Sequence, residues 1–267
     1  MERKLGIFCE CLGRVPAPDS LPLLKEAGFD CYATGCCDLE RMKQIKAVGD
    51  SLGMTCEFIH APFGGYDINN MWLPGIDYLG IFNGMKKAID TAAGAGVPVV
   101  VAHVSHGWFP PQISDIGLAR FDALVEYAIE RDVKLAFENV YSVGNLAYFA
   151  DRYEKCDHVG LCYDAGHEHC FTKTVSWLDI YTNKTFAIHI NDNNGRGDVK
   201  EGNGDMHWLP FKGNVDYETM MKKLNKYKYE GSLILEISMG KSNEMSEAEW
   251  LADVYDRIKR ISLMGQE

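Results

Sequence analysis

Eight short apolar runs punctuate this chain, and the later ones stop on side chains that a buried strand should avoid. Lys134-Leu-Ala-Phe-Glu138, Val159-Gly-Leu-Cys-Tyr-Asp164, Thr185-Phe-Ala-Ile-His189 and Ser232-Leu-Ile-Leu-Glu236 each finish on a carboxylate or an imidazole. An unpaired buried charge is costly, so these endings need a common reason. Three carboxylates and one imidazole, each at the same end of its own strand, suit a divalent cation. They predict a metal site at the mouth of a barrel.

The other four runs are Lys4–Cys9, Phe29–Ala33, Thr55–His60 and Val97–His103. Between the runs lie helix-like stretches, among them Tyr78–Gly94, Ile113–Arg131, Asp216–Tyr227 and, at the end, Glu244–Leu263. Asp216-Tyr-Glu-Thr resembles a capping-box start, and the glycines of Ala27-Gly28 and Gly94-Ala-Gly96 punctuate helix ends just before strands. Strand alternating with helix eight times predicts a (β/α)₈ TIM barrel, read as one domain over residues 1–267. A doubly wound sheet would need a Gly-rich phosphate loop after the first strand, and Cys9-Glu-Cys-Leu-Gly-Arg14 offers none. The connection from His189 to Gly213 is long and polar, which marks it as a functional loop.

A net charge of −11 repels polyanions and argues against a nucleic-acid partner. No run approaches the roughly 18 apolar residues of a membrane span, and the N-terminus enters a strand-like run with no signal-peptide core. Nine cysteines without paired spacing read as reduced thiols, which points to the cytoplasm; Cys36-Cys37 has no second pair to complete a zinc knuckle. A homo-oligomer is compatible with all of this.

In a (β/α)₈ barrel the C-terminal strand ends build the active site. Here they give His60, His103, Glu138, Asp164, His189 and Glu236 from the third to the eighth strand, with His167 just past Asp164 and with Asp205 and His207 in the seventh loop. Trp72, Trp108 and Trp208 follow the third, fourth and seventh strands. They read either as loop packing or as an apolar wall against a sugar face. Lys212 could meet a phosphate or carboxylate, although no phosphate-binding glycine loop follows the last two strands.

Phe137-Glu-Asn139, Cys162-Tyr-Asp-Ala-Gly-His167, Ile188-His-Ile-Asn-Asp192 and Leu235-Glu-Ile237, with Asp205-Met-His207 and Gly213, resemble the xylose-isomerase-like TIM-barrel superfamily. That group includes sugar isomerases and epimerases, inosose isomerases and dehydratases, hydroxypyruvate isomerase and type IV apurinic endonucleases. The resemblance implies a sugar or cyclitol isomerase or epimerase that moves a proton beside a carbonyl through an enediolate. Glu138, Asp164, His189 and Glu236 would hold Mn²⁺, Mg²⁺, Co²⁺ or Zn²⁺. Glu138 and Glu236 would double as acid and base, in a site dry enough to raise one of their pKa values toward neutrality. His167 would bind a substrate oxygen. The ketose epimerases of the group carry a second Glu and an Arg at positions that are Gly144 and Gly195 here, with Arg196 next to the latter.

The same resemblance implies two alternatives. One is a dehydratase or lyase. The other is a zinc phosphodiesterase on abasic DNA, whose nine ligands would be His60, His103, Glu138, Asp164, His167, His189, Asp205, His207 and Glu236. A binding protein without turnover would be expected to lose one of the two glutamates, and both are present.

Overall fold

A computed structural model describes residues 2–196, 204–240 and 244–266. Its strands are β1 (Leu5–Phe8), β2 (Cys31–Gly35), β3 (Thr55–His60), β4 (Val99–Ala102), β5 (Lys134–Glu138), β6 (Val159–Asp164), β7 (Thr185–Ile190) and β8 (Leu233–Leu235). Each pairs in parallel with the next, and β1 closes on β8 through Gly6↔Ile234 and its neighbours. The result is an eight-stranded barrel inside a layer of helices.

Parallel strands covered on both faces should be apolar throughout. β4 (Val-Val-Val-Ala) and β6 are buried along their whole length. One set of side chains, including Leu135, Phe137, Val100 and Leu235, packs outward against the helices. The alternate set, Cys31, Ala33, Phe58, Val99, Val101, Ala136, Cys162, Ala187 and Ile234, fills the barrel interior.

This alternation positions the site. Successive strand side chains point to opposite faces, so a residue two places beyond an interior one is again directed inward. Phe58, Val101, Ala136, Cys162, Ala187 and Ile234 are interior residues, and two places on stand His60, His103, Glu138, Asp164, His189 and Glu236. β4 and β8 end one residue before their polar members. Glu236 still continues the ladder, because its N–H donates to the Ile190 carbonyl at 3.0 Å.

The expected helices form with ends shifted by one to three residues: Leu79–Ala95, Asp115–Ile129, Tyr217–Lys226 and Glu247–Ser262. Asp216 caps its helix by accepting from the Thr219 N–H. The reciprocal box appears instead at Ser246, where Glu249 returns the bond. The left-handed residue that closes Leu79–Ala95 is Gly96, not Gly94.

Gly160 in β6 shows how tightly the strands are packed. A Cβ there would lie 2.2 Å from the Lys184 carbonyl oxygen and 2.7 Å from the Phe186 ring. Since backbone cannot yield as a side chain tip can, Gly160→Ala should cost at least the ~1–3 kcal/mol typical of overpacking. Urea unfolding of parent and variant checks this. Equal midpoints would contradict it.

Candidate metal centre

Asp164 shows how the local sequence sets the site. Its N–H donates to the Asn139 side-chain oxygen at 2.7 Å, and the Asn139 amide returns a bond to the Asp164 carbonyl at 2.9 Å, locking β5 to β6. One carboxylate oxygen caps the helix Ala165–Cys170 by accepting from the His167 N–H, and the other accepts from the Asn191 amide at 2.8 Å. Gly166 lets Asn191 approach, since a Cβ there would stand 1.8 Å from its oxygen.

The seventh loop is held just as closely. Asp192 and Trp208 exchange backbone hydrogen bonds of 2.9 Å, and a Cβ on Gly213 would sit 2.2 Å from the Asn193 carbonyl oxygen. This brings Asp205 and His207 to the barrel mouth. The intervening residues 197–203 of the predicted functional loop lie outside those described.

Glu138 is the hub. Its Oε2 lies 3.2 Å from His60 Nε2 and 3.0 Å from His103 Nε2, and its Oε1 lies 3.0 Å from His167 Nδ1 and 3.2 Å from His189 Nδ1. His189 Nδ1 is also 3.0 Å from Glu236 Oε2 and 3.7 Å from Asp164 Oδ2. His167 Nε2 and His207 Nε2 flank Asp205 at 3.3 and 3.0 Å. His60 Nδ1 donates to the Ala61 carbonyl and His207 Nδ1 to that of Glu236, both at 2.8 Å, so each ring turns Nε2 toward the centre.

These side chains are positioned to coordinate divalent metal. Glu138, Asp164, His189 and Glu236 form one group, with donor atoms within 4.8 Å of one another; His60–His103–Glu138 and His167–Asp205–His207 form two more. Glu236 Oε2 and His167 Nδ1 are buried and lack a well-aligned hydrogen bond, although each has an oppositely charged partner at 3.0 Å. Lone pairs directed at a shared point instead of at each other are what ligands of an ion require.

The electrostatics depart from expectation in one respect. Burial opposes ionisation of both glutamates, but the charge of His189 and bonds from neighbouring imidazoles outweigh it. Glu138 is held well below the usual carboxylate range and Glu236 is lowered to about 2. The carboxyl raised toward neutrality is Asp164, to about 6, because burial and the negative charges of Glu138 and Glu236 outweigh His167 and His189. His167 and His189 are raised well above the ordinary value despite burial, His167 by Asp164, Asp205 and Glu138 and His189 by Cys162 ahead of Glu236 and Glu138; His207 is raised to about 9 by Asp205 and Glu236. Burial lowers His103.

A cavity of about 140 Å³ opens over the cluster, lined by His60, His103, Glu138, His167, Asp205, His207 and Glu236 together with Phe63, His106, Val140, Tyr141 and Phe171. Phe63 stacks on His103 with ring centres 4.3 Å apart, and Tyr141 stacks on Phe171 at 3.9 Å. Sequence reasoning missed these aromatic walls; their only signal is their place just beyond strand ends. Trp108 backs the wall edge-on to Tyr141 and Phe171 and carries the Arg196 guanidinium 4.1 Å above its ring.

Trp72 does not line the cavity. It is buried, donates to the Val104 carbonyl at 2.7 Å and packs on Phe121 and Phe149, because Gly117 leaves room for its ring. Trp208 and Lys212 line a separate groove of about 510 Å³ with Met206, Met239 and Trp250, and His207 reaches both spaces.

Residues 21–259 match the model of a family described as xylose isomerase-like TIM barrel. The uncharacterized protein y4fM of Sinorhizobium fredii is 30% identical over 202 residues, which cover 68% of this chain and 59% of that protein. The crystal structure of a xylose isomerase domain protein from Planctomyces limnophilus superposes with a TM-score of 0.78 at 16% identity, covering 98% of each chain. D-psicose 3-epimerase with D-tagatose, from Clostridium cellulolyticum H10, gives 0.74 at 13% identity, over 98% of this chain and 99% of that one.

Metal binding should release protons here. His189 and His167, raised well above their ordinary values, and His207, raised to about 9, carry protons in the metal-free protein at neutral pH. A histidine that ligates the ion must lose its proton to offer a lone pair, and of these three His189 is the one in the central group. Apparent affinity for Zn²⁺ should therefore rise with pH through neutrality as His189 gives up its proton. Calorimetric titrations in buffers of different ionisation heat check this, with pH-independent binding as the contrary result.

Proposed function

The chain belongs to the xylose isomerase-like TIM barrel family, and from that premise we propose that it is a metal-dependent isomerase or epimerase of a neutral sugar or cyclitol. One observation carries the reading. Glu138 Oε1 and Glu236 Oε2 both converge on His189 Nδ1, at 3.2 and 3.0 Å, the first from the end of β5 and the second from just past β8. Two carboxylates are thus available to a single carbon held over the site.

Glu138, Asp164, His189 and Glu236 would hold the ion, which when bound acts as a Lewis acid toward a carbonyl and its neighbouring hydroxyl. One glutamate takes the proton from the carbon beside the carbonyl and the other returns it. Both glutamates are held ionised, so either can start as the base, whereas the one that returns a proton must first gain one. His167, near the Glu138 carboxylate and Asp205, hydrogen-bonds a substrate oxygen. Phe63, Tyr141 and Phe171 cover the apolar faces of the substrate and keep water away.

Among the described residues no lysine or arginine lines the cavity, which favours an uncharged substrate. The activity for which D-psicose 3-epimerase is named, in a protein of the same fold, supports the same class. Nine unpaired thiols, and no helix among the described residues long and apolar enough to cross a membrane, support placement in the cytoplasm.

A second reading, a three-ion phosphodiesterase on abasic DNA, draws on the two outer groups, His60–His103–Glu138 and His167–Asp205–His207. The charge of −11 and the lack of lysine or arginine in the cavity lining among the described residues weigh against it.

Two measurements test the proposal. Asp164→Asn should release the central ion, and elemental analysis showing equal loading of variant and parent would defeat the assignment. With metal and candidate ketoses or inososes in D₂O, deuterium should enter the carbon beside the carbonyl. Glu138→Gln and Glu236→Gln should each slow that exchange by roughly 10²–10⁴-fold. Nicking of abasic DNA without exchange into any sugar would transfer the site to the second reading.

A further inference from the structure

His189 uses only one side of its ring in the contacts so far described. Nδ1 faces Glu138, Asp164 and Glu236. If Nδ1 gives its lone pair to an ion, the neutral ring must carry its proton on Nε2. His189 is fully buried, and its Nε2 has no hydrogen-bond partner. A metal-bound histidine ordinarily donates its second N–H to a carboxylate, a carbonyl or water, which fixes the ring and raises its basicity.

On the barrel side the imidazole meets the rings of Phe8 and Phe58, with centres 5.5 and 5.3 Å away, and neither supplies a conventional lone-pair acceptor. Cys162 does. It is an interior residue of β6, fully buried, and two places before Asp164. Its strand partners are Glu138 on one side and Ala187, two before His189, on the other. Its sulfur lies within 4.8 Å of a ring nitrogen of His189 and of a Glu138 carboxylate oxygen. Its thiol is fully buried, and its sulfur offers lone pairs as a weak acceptor.

We propose that Cys162 is a positioning residue for the metal centre: its sulfur accepts the Nε2–H of His189 and holds the ring with Nδ1 toward the ion. This rests on His189 being a metal ligand, as proposed above. It assigns work to an interior side chain that touches neither solvent nor the substrate cavity.

Cys162→Ser keeps a small acceptor at the position, whereas Cys162→Val keeps apolar packing and removes it. Each variant is titrated with Zn²⁺ and, separately, Mn²⁺, with thermal unfolding of the metal-free proteins to confirm folding. The Val variant should bind each ion roughly 10–100-fold more weakly than the parent, and the Ser variant should retain most of the affinity. If packing were all that mattered, Val would equal or exceed Ser, and that order overturns the inference. Parental affinity in both variants overturns it too. Asp164→Asn serves as the parallel control: its loss of metal beside an unaltered Val variant would reject the role of Cys162 while leaving the metal centre in place. A parent that binds neither ion would reject both.

Discussion

The buried carboxylate of Glu138 is the constraint around which the barrel mouth is organised. Only 1% exposed, it could not remain ionised there without close partners. Four imidazoles surround it, one each from β3, β7, the end of β4 and the short helix after β6. No local segment could bring those rings together. Closing the sheet does, since it points equivalent positions of different strands at one axis.

The same periodicity explains why so much was legible in the sequence. A strand of period two that ends on a polar residue has its interior neighbour two places earlier, so Ala136 implies Glu138 and Ala187 implies His189 once the barrel is assumed. The strand rhythm and the convergence of Glu138, Asp164, His189 and Glu236 were therefore readable from linear order. Asp205 and His207 were readable as site candidates of the seventh loop, but not where that loop would place them. Their arrival beside His167 depends on the Asp192–Trp208 pairing and the close approach at Gly213, which are properties of the folded loop.

What could not be read shares one cause: it depends on neighbours distant in sequence. Trp72 reads from the sequence either as loop packing or as a substrate wall, and Gly117, far along the chain, opens the slot that draws it into the core. Tyr141 and Phe171 look like ordinary loop aromatics until their stack over the cavity is seen. Cys162 reads as core filler and is core filler; only the unpartnered face of His189 gives its sulfur a further part. The perturbed carboxyl was misplaced for a similar reason. Dryness alone would raise a glutamate, whereas histidines reached by long-range closure lower both and leave the raised value to Asp164.

Asp164 ties the charge balance to the geometry. Its backbone locks β5 to β6, one carboxylate oxygen starts the helix that carries His167, and the other is held by Asn191 at the end of β7. A change in its charge therefore acts on the orientation of several ligands at once. Without an ion, protons on His167, His189 and His207 offset the clustered carboxylates. With an ion, the metal takes over that work and the imidazoles revert to neutral donors. Protons and a metal ion would thus be two ways of neutralising one set of side chains. The backbone of Asp164 is held through Asn139 and not through its carboxylate oxygens, so that lock does not depend on which of the two neutralises the charge.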